Sequence, residues 1–172
     1  MSPATGSGRA SGRAAAIITI SDGVAAGVRE DESGRRLEAR LREVGFVTTR
    51  AVVPDERAAI GDAIATAAEQ CTLVVTTGGT GLTPRDVTPQ ATAAVLDFEV
   101  PGLAEAMRAE GRAHTPLASL SRGVVGVRGR CLVVNVPGSP KGALESLEAI
   151  VPVLDHALET LAGPFDHSAS AG

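Results

Sequence analysis

The chain has neither tryptophan nor tyrosine, and only three phenylalanines in 172 residues. That argues against a site built on stacked protein aromatics, the usual platform for flavins and single-stranded nucleic acid. Lysine is as scarce: Lys141 is alone among sixteen cationic side chains, the rest being arginine. No GxxxxGK[ST] loop is present and no GxGxxG follows the first apolar run, so two common nucleotide motifs are missing. Serine-hydrolase chemistry finds no GxSxG, and His114, His156 and His167 have no motif around them. A net charge of −4 and a pI near 5.4 offer no basic field to nucleic acid or to an anionic membrane. No run approaches the ~18 apolar residues that span a bilayer. Residues 1–13 carry no apolar stretch of the export-signal kind, so the expected compartment is the cytoplasm, with neither a membrane nor a nucleic acid as partner. Cys71 and Cys131 each open an apolar run and share no zinc-like spacing with histidine; both are expected as reduced, buried core thiols.

What is present is an alternation of apolar runs and helical patterns, of a length that makes one domain with a sizeable core. Residues 14–162 are expected to form it, between flexible segments 1–13 and 163–172. Strands are expected at 14–20, 46–53 and 71–75. Helices are expected at 34–44, from the spacing of Leu37, Leu41 and Val44, and at 60–70, 89–96 and 103–112. Runs 123–127 and 131–136 lie too close for a crossover and must pair antiparallel. Ser139 and Pro140 then open a last helix with an apolar stripe from Leu144 to Leu161, interrupted by Pro152. The fold class is therefore α/β in three layers: a mainly parallel sheet, helices on both faces, and one antiparallel edge hairpin.

Four strand ends carry small or acidic residues: Ser21-Asp22, Asp55, the stretch from Gly78 to Asp86, and Asn135 to Pro140. In a parallel sheet these ends share one rim, where open α/β sheets bind ligands. Gly78, Gly79 and Gly81 let backbone N–H groups approach a phosphate or ring closely. Read alone, the Gly loop is also compatible with a plain turn, Asp55 with an N-cap of the helix behind it, and Thr88 with a cap ahead of Pro89. Carboxylates in a phosphate pocket repel the ligand unless a cation intervenes, so Asp86, with Asp55, points to Mg²⁺ bridging to phosphate oxygens.

The stretches TTGGTGLTPRDVTPQAT (76–92) and NVPGSPKGALESL (135–147) resemble the molybdopterin adenylyltransferases, the Mog and MoaB proteins of molybdenum cofactor biosynthesis. ITISDG (18–23), VVPDE (52–56), EVPGLAEAMR (99–108) and SLSRGVVGVRG (119–129) extend the resemblance over about residues 14–162. It implies a molybdopterin-binding fold, usually a homotrimer, that moves AMP from Mg·ATP onto the terminal phosphate of molybdopterin and releases pyrophosphate, the product passing to a molybdenum-insertion enzyme. By resemblance Asp55 and Asp86 are the catalytic carboxylates, with Asp86 toward Mg²⁺. Ser21, Asp22, Gly78, Gly79, Thr80 and Gly81 line the nucleotide and pterin cradle, and Asn135, Pro137, Gly138, Ser139 and Pro140 hold the pterin phosphate. Two alternatives stand beside it: a carrier that keeps the molybdopterin pocket without catalysis, which intact Asp55 and Asp86 argue against, and a flavodoxin-like electron carrier with a similar sheet, which the missing Trp and Tyr disfavour.

Overall fold

Alternation decides the architecture. In strand β1 (Ala14–Ile20), Ala15 and Ile17 face one way and Ala16, Ile18 and Ile20 the other, and all are buried. A strand apolar on both faces needs helices on both. The computed structural model describes residues 12–164 and supplies them. Against the first face lie α2 (Glu32–Glu43), α5 (Pro101–His114) and α6 (Pro140–Ala162). Against the second lie α3 (Arg57–Gln70) and α4 (Thr88–Ala93). A one-turn helix α1 (Asp22–Ala25) follows β1 directly.

The sheet has six strands in the order β2-β1-β3-β6-β5-β4. β2 (Val47–Val53), β1, β3 (Leu73–Thr77) and β6 (Cys131–Val136) are parallel. β5 (Val125–Arg128) pairs antiparallel with β6, as the short connection requires, and the two-residue β4 (Phe98–Glu99) pairs antiparallel with β5 at the edge. The chain runs from β1 outward to β2 and then back to the other side of β1 as β3, so the topological switch point lies between β1 and β3. Register keeps the rim level there: Ile20 lies beside Val53, Thr19 beside Thr77, and Thr77 beside Val136.

Several local expectations change. The pattern at residues 98–102 signals only a helix break, but Phe98 and Glu99 form the edge strand, and the helix expected from residue 103 begins at Pro101. α2 starts two residues early because Asp31 caps it, accepting from Gly34 N at 3.0 Å. The helix expected over 89–96 ends at Ala93, and a 3₁₀ turn, Pro116–Leu120, follows α5. Cys131 is buried as expected, with its thiol pushed up to about 12 by burial. Cys71 is instead half-exposed, because it lies at the end of α3 before β3 begins. α6 runs through Pro152. Of the flanking segments 1–13 and 163–172, residues 1–11 and 165–172 lie outside the described residues. Among the described residues no helix is long and apolar enough to cross a membrane.

Candidate active site

The carboxyl ends of β1 and β2 are locked together by their first acidic residues. Asp22 N donates to Asp55 Oδ2 at 2.9 Å, and Asp55 N donates to Asp22 Oδ1 at 3.0 Å. Asp55 is therefore not a helix cap. Glu56 holds the N-cap position of α3 without a side-chain hydrogen bond, and the Asp55 carboxylate faces β1. Arg85, from the Gly loop, reaches across and binds both Asp22 oxygens, at 2.7 Å to Oδ2 and 2.9 Å to Oδ1. These hydrogen bonds from Arg85 hold the Asp22 carboxyl below its ordinary range. Asp55 moves the opposite way: burial raises it first, with the like charges of Asp22 and Asp86 adding to the effect. Two adjacent aspartates thus have different environments, one neutralised by arginine and one desolvated, a pattern common where a carboxylate does chemistry.

The Gly loop leaves β3 through two residues with positive φ, Gly78 at 103° and Gly79 at 68°. Both positions are also closely packed. A Cβ on Gly78 would lie 2.3 Å from the Ile20 carbonyl, and one on Gly79 would lie 2.2 Å from Thr88 Oγ1. That hydroxyl donates to Gly78 O at 2.9 Å, so Thr88 tethers the loop while Val87 occupies the N-cap position of α4. Asp86 Oδ2 accepts from Thr83 N at 2.9 Å and Thr83 Oγ1 at 2.8 Å. These bonds fix the carboxylate by one oxygen. Asp55 is fixed likewise, so each keeps an Oδ1 with no protein donor among the described residues.

The loop also has an outer fastening that the motifs alone did not expose. Arg122 donates through Nε to Gly81 O at 2.8 Å and through Nη2 to Asp86 O at 2.7 Å, while its backbone N donates to Thr80 O at 2.9 Å. Its signal lay in the SLSRGVVG stretch, but nothing local showed that this arginine reaches back 41 residues.

Two cavities open on this rim. The polar one, about 600 Å³, is lined by Ser21, Asp55, Gly78, Gly79, Asp86, Gly138, Ser139 and Pro140, with Arg29 the only cationic side chain on its wall among the described residues. Its other acids are engaged elsewhere: Glu30 with Arg35, Asp31 with Thr19 and Gly34 N, and Glu32 with Arg36. The second cavity, about 350 Å³, is mostly apolar and lies between α5, the 3₁₀ turn and α6, with Met107, Leu117, Thr80, Gly81, Pro137 and Ser139 among its lining residues. Ser139 borders both. It N-caps α6, accepting from Gly142 N at 3.2 Å, so the amides of a 23-residue helix begin at the partition.

The expected residues divide accordingly. Ser21, Asp55, Asp86, Gly78, Gly79, Gly138, Ser139 and Pro140 meet in the polar cavity; Thr80, Gly81, Asn135 and Pro137 face the apolar one. Asp22 borders neither cavity and acts behind Asp55. Asn135 is 1% exposed, and its amide is engaged inside the protein: Nδ2 donates to Thr76 and Thr92 hydroxyls, and Oδ1 accepts from Val124 N. Thr77 Oγ1 donates to Pro137 O at 2.8 Å and ties β3 to the start of the α6 loop. Among the described residues no three His, Cys, Asp or Glu side chains form a metal cage. Mg²⁺ held through one or two carboxylates and substrate phosphates needs none, and the two hard Oδ1 atoms suit it.

Fold and site define a class: an α/β protein with a carboxylate-bearing polar cavity beside an apolar one, at the topological switch point of its sheet. Residues 16–156 match the family described as a probable molybdopterin binding domain. The molybdopterin adenylyltransferase of Helicobacter pylori strain J99 is 37% identical over 154 residues, covering 87% of this chain and 88% of that protein. The Mog protein structure from Mycobacterium ulcerans has a TM-score of 0.82 at 44% identity, covering 87% of this chain and 99% of that one. MoaB from Thermus thermophilus gives 0.80 at 46%, covering 90% and 99%. The chain belongs to this molybdopterin adenylyltransferase family of MogA and MoaB proteins, which are nucleotidyltransferases of molybdenum cofactor biosynthesis.

Proposed function

We propose that this protein transfers AMP from Mg·ATP to the terminal phosphate of molybdopterin, giving adenylyl-molybdopterin and pyrophosphate. The observation that carries the reading is the shared wall: an apolar slot suited to a pterin and a polar cavity suited to a nucleotide meet at Ser139 and the Gly78–Gly81 loop. A substrate with a ring at one end and a phosphate at the other, lying across that wall, presents its phosphate to the nucleotide side.

The nucleophile needs little activation, because a phosphate monoester with a second pKa of about 6 is largely dianionic at neutral pH. Catalysis then rests on positioning and charge neutralisation at the α-phosphate. Ser139 and the first amides of α6 receive the pterin-side phosphate with the positive end of the helix dipole. Gly78 and Gly79 admit the nucleotide phosphates to the backbone, and Arg29 faces the departing pyrophosphate. Asp55 and Asp86 would hold Mg²⁺. When bound there, the ion supplies charge neutralisation on the phosphate oxygens. Asp22 and Arg85 hold Asp55 in place from behind. The reading includes a homotrimer working in the cytoplasm and passing its product to a molybdenum-insertion enzyme.

The test is ATP labelled at the α-phosphate, incubated with purified protein, Mg²⁺ and molybdopterin. The reading expects label on molybdopterin. Binding of molybdopterin without label transfer would favour the carrier instead.

A further inference from the structure

Among the described residues, Glu145 Oε1 is the buried side-chain oxygen left with no hydrogen-bond partner. Glu145 lies on the second turn of α6 and lines the apolar cavity. The groups near it do not satisfy it. His114 Nδ1 is 3.6 Å away, and the same ring approaches Glu110 more closely, Nε2 to Oε1 at 3.2 Å. Lys141 Nζ is 3.8 Å away on a side chain 80% exposed, where water screens it. The Glu145 side chain is 16% exposed, but this oxygen itself is shielded from water and makes no hydrogen bond, and a buried acceptor left so calls for a partner.

A pterin offers one. Its N3–H and 2-amino N–H lie side by side on one edge as two parallel donors. A carboxylate is acceptor-only and takes such a pair with both oxygens. The terminal torsion of Glu is broad and roughly two-fold, so the group can turn its oxygens into the cavity without leaving its rotamer. We infer that Glu145 is the specificity-determining residue of the apolar slot, accepting the donor edge of the substrate's pterin ring. This rests on the functional reading above and adds what the slot selects.

The test compares 6-hydroxymethylpterin with its lumazine counterpart, in which an oxo group replaces the 2-amino group, by fluorescence titration of wild-type protein and Glu145→Gln. Lumazine presents one donor and one acceptor there, which matches Gln rather than Glu. Wild type is expected to prefer the pterin by about tenfold or more, since a site built to bond a group rejects the analogue lacking it. Glu145→Gln is expected to lose or invert that preference. It should also raise the KM for molybdopterin while the KM for ATP and the melting temperature stay near wild type. Equal binding of the two rings to wild type, binding of neither while molybdopterin binds, or an unchanged preference in Glu145→Gln overturns the inference and leaves the adenylyl-transfer reading standing. Failure of wild type to bind molybdopterin overturns both.

Discussion

Asp22 and Asp55 hold each other by crossed hydrogen bonds, each backbone N–H donating to the other's carboxylate, at 2.9 and 3.0 Å. The pair ties the ends of two neighbouring strands, and Arg85 closes over Asp22 alone. Asp22→Asn keeps an acceptor for Asp55 N but removes a like charge beside Asp55 and frees Arg85. Loss of the Asp22 charge favours ionised Asp55. The acid limb of the pH–rate profile should therefore move to lower pH in this variant, while turnover falls because Arg85 no longer anchors the loop. An acid limb that stays put or rises would show that Asp22 does not set the ionisation of Asp55.

Asp55→Asn should separate activity from stability. Folding raises the Asp55 carboxyl, chiefly by burial. The folded state therefore disfavours its charge, and the unfavourable contribution is present above the folded value and relieved as pH falls through it. An isosteric amide that keeps an acceptor for Asp22 N removes that contribution. Melting temperature at pH 7 is expected to be unchanged or higher, with adenylyl transfer lost. A lower melting temperature with turnover intact would make Asp55 a structural residue.

The strands and most helices were legible because their patterns are local. Runs such as Ala14–Ile20 and Leu73–Thr77 are built almost wholly of apolar or β-branched residues, the pattern of a two-sided core. The four rim loops were legible for the same reason: each directly follows such a run. Contacts across the sequence were not. The caps expected of Asp55 and Thr88 are sound local chemistry, but both side chains found distant partners, Asp22 N and Gly78 O. Phe98-Glu99 could not be read as a strand, since two residues carry no period and need β5 beside them. The apolar cavity draws on α5, the 3₁₀ turn and α6, and so has no continuous signature.

Arg122→Met tests the outer fastening of the loop. The change removes two charge-assisted hydrogen bonds, to Gly81 O and Asp86 O, each worth about 1.5–3 kcal/mol where the partner is left unpaired. Hydrogen exchange should quicken from Gly79 to Val87, and kcat should fall more than the KM for ATP rises. Unaltered exchange there would mean the loop is held by Thr88 and Thr83 alone.

Gly79→Ala should damage both folding and binding. Positive φ strains any side chain by about 1–3 kcal/mol, and the new Cβ meets Thr88 Oγ1 at 2.2 Å, an overpacking cost of about 1–3 kcal/mol more. A thermal melt beside calorimetric titration with ATP should show a lower melting temperature and weaker ATP binding. Wild-type values of both would contradict the close packing of the loop.

The most direct measurement is pyrophosphate release from ATP by wild type and Asp86→Asn, with Mg²⁺ and saturating molybdopterin. Asn keeps the size and one acceptor for Thr83 but removes the charge facing the polar cavity, a loss worth several kcal/mol of transition-state stabilisation, about a hundredfold or more in turnover. Molybdopterin-dependent release by wild type, reduced at least that far in a folded Asp86→Asn that still binds molybdopterin, is the expected result. Near-wild-type release by Asp86→Asn, or none from wild type with both substrates bound, would contradict the account.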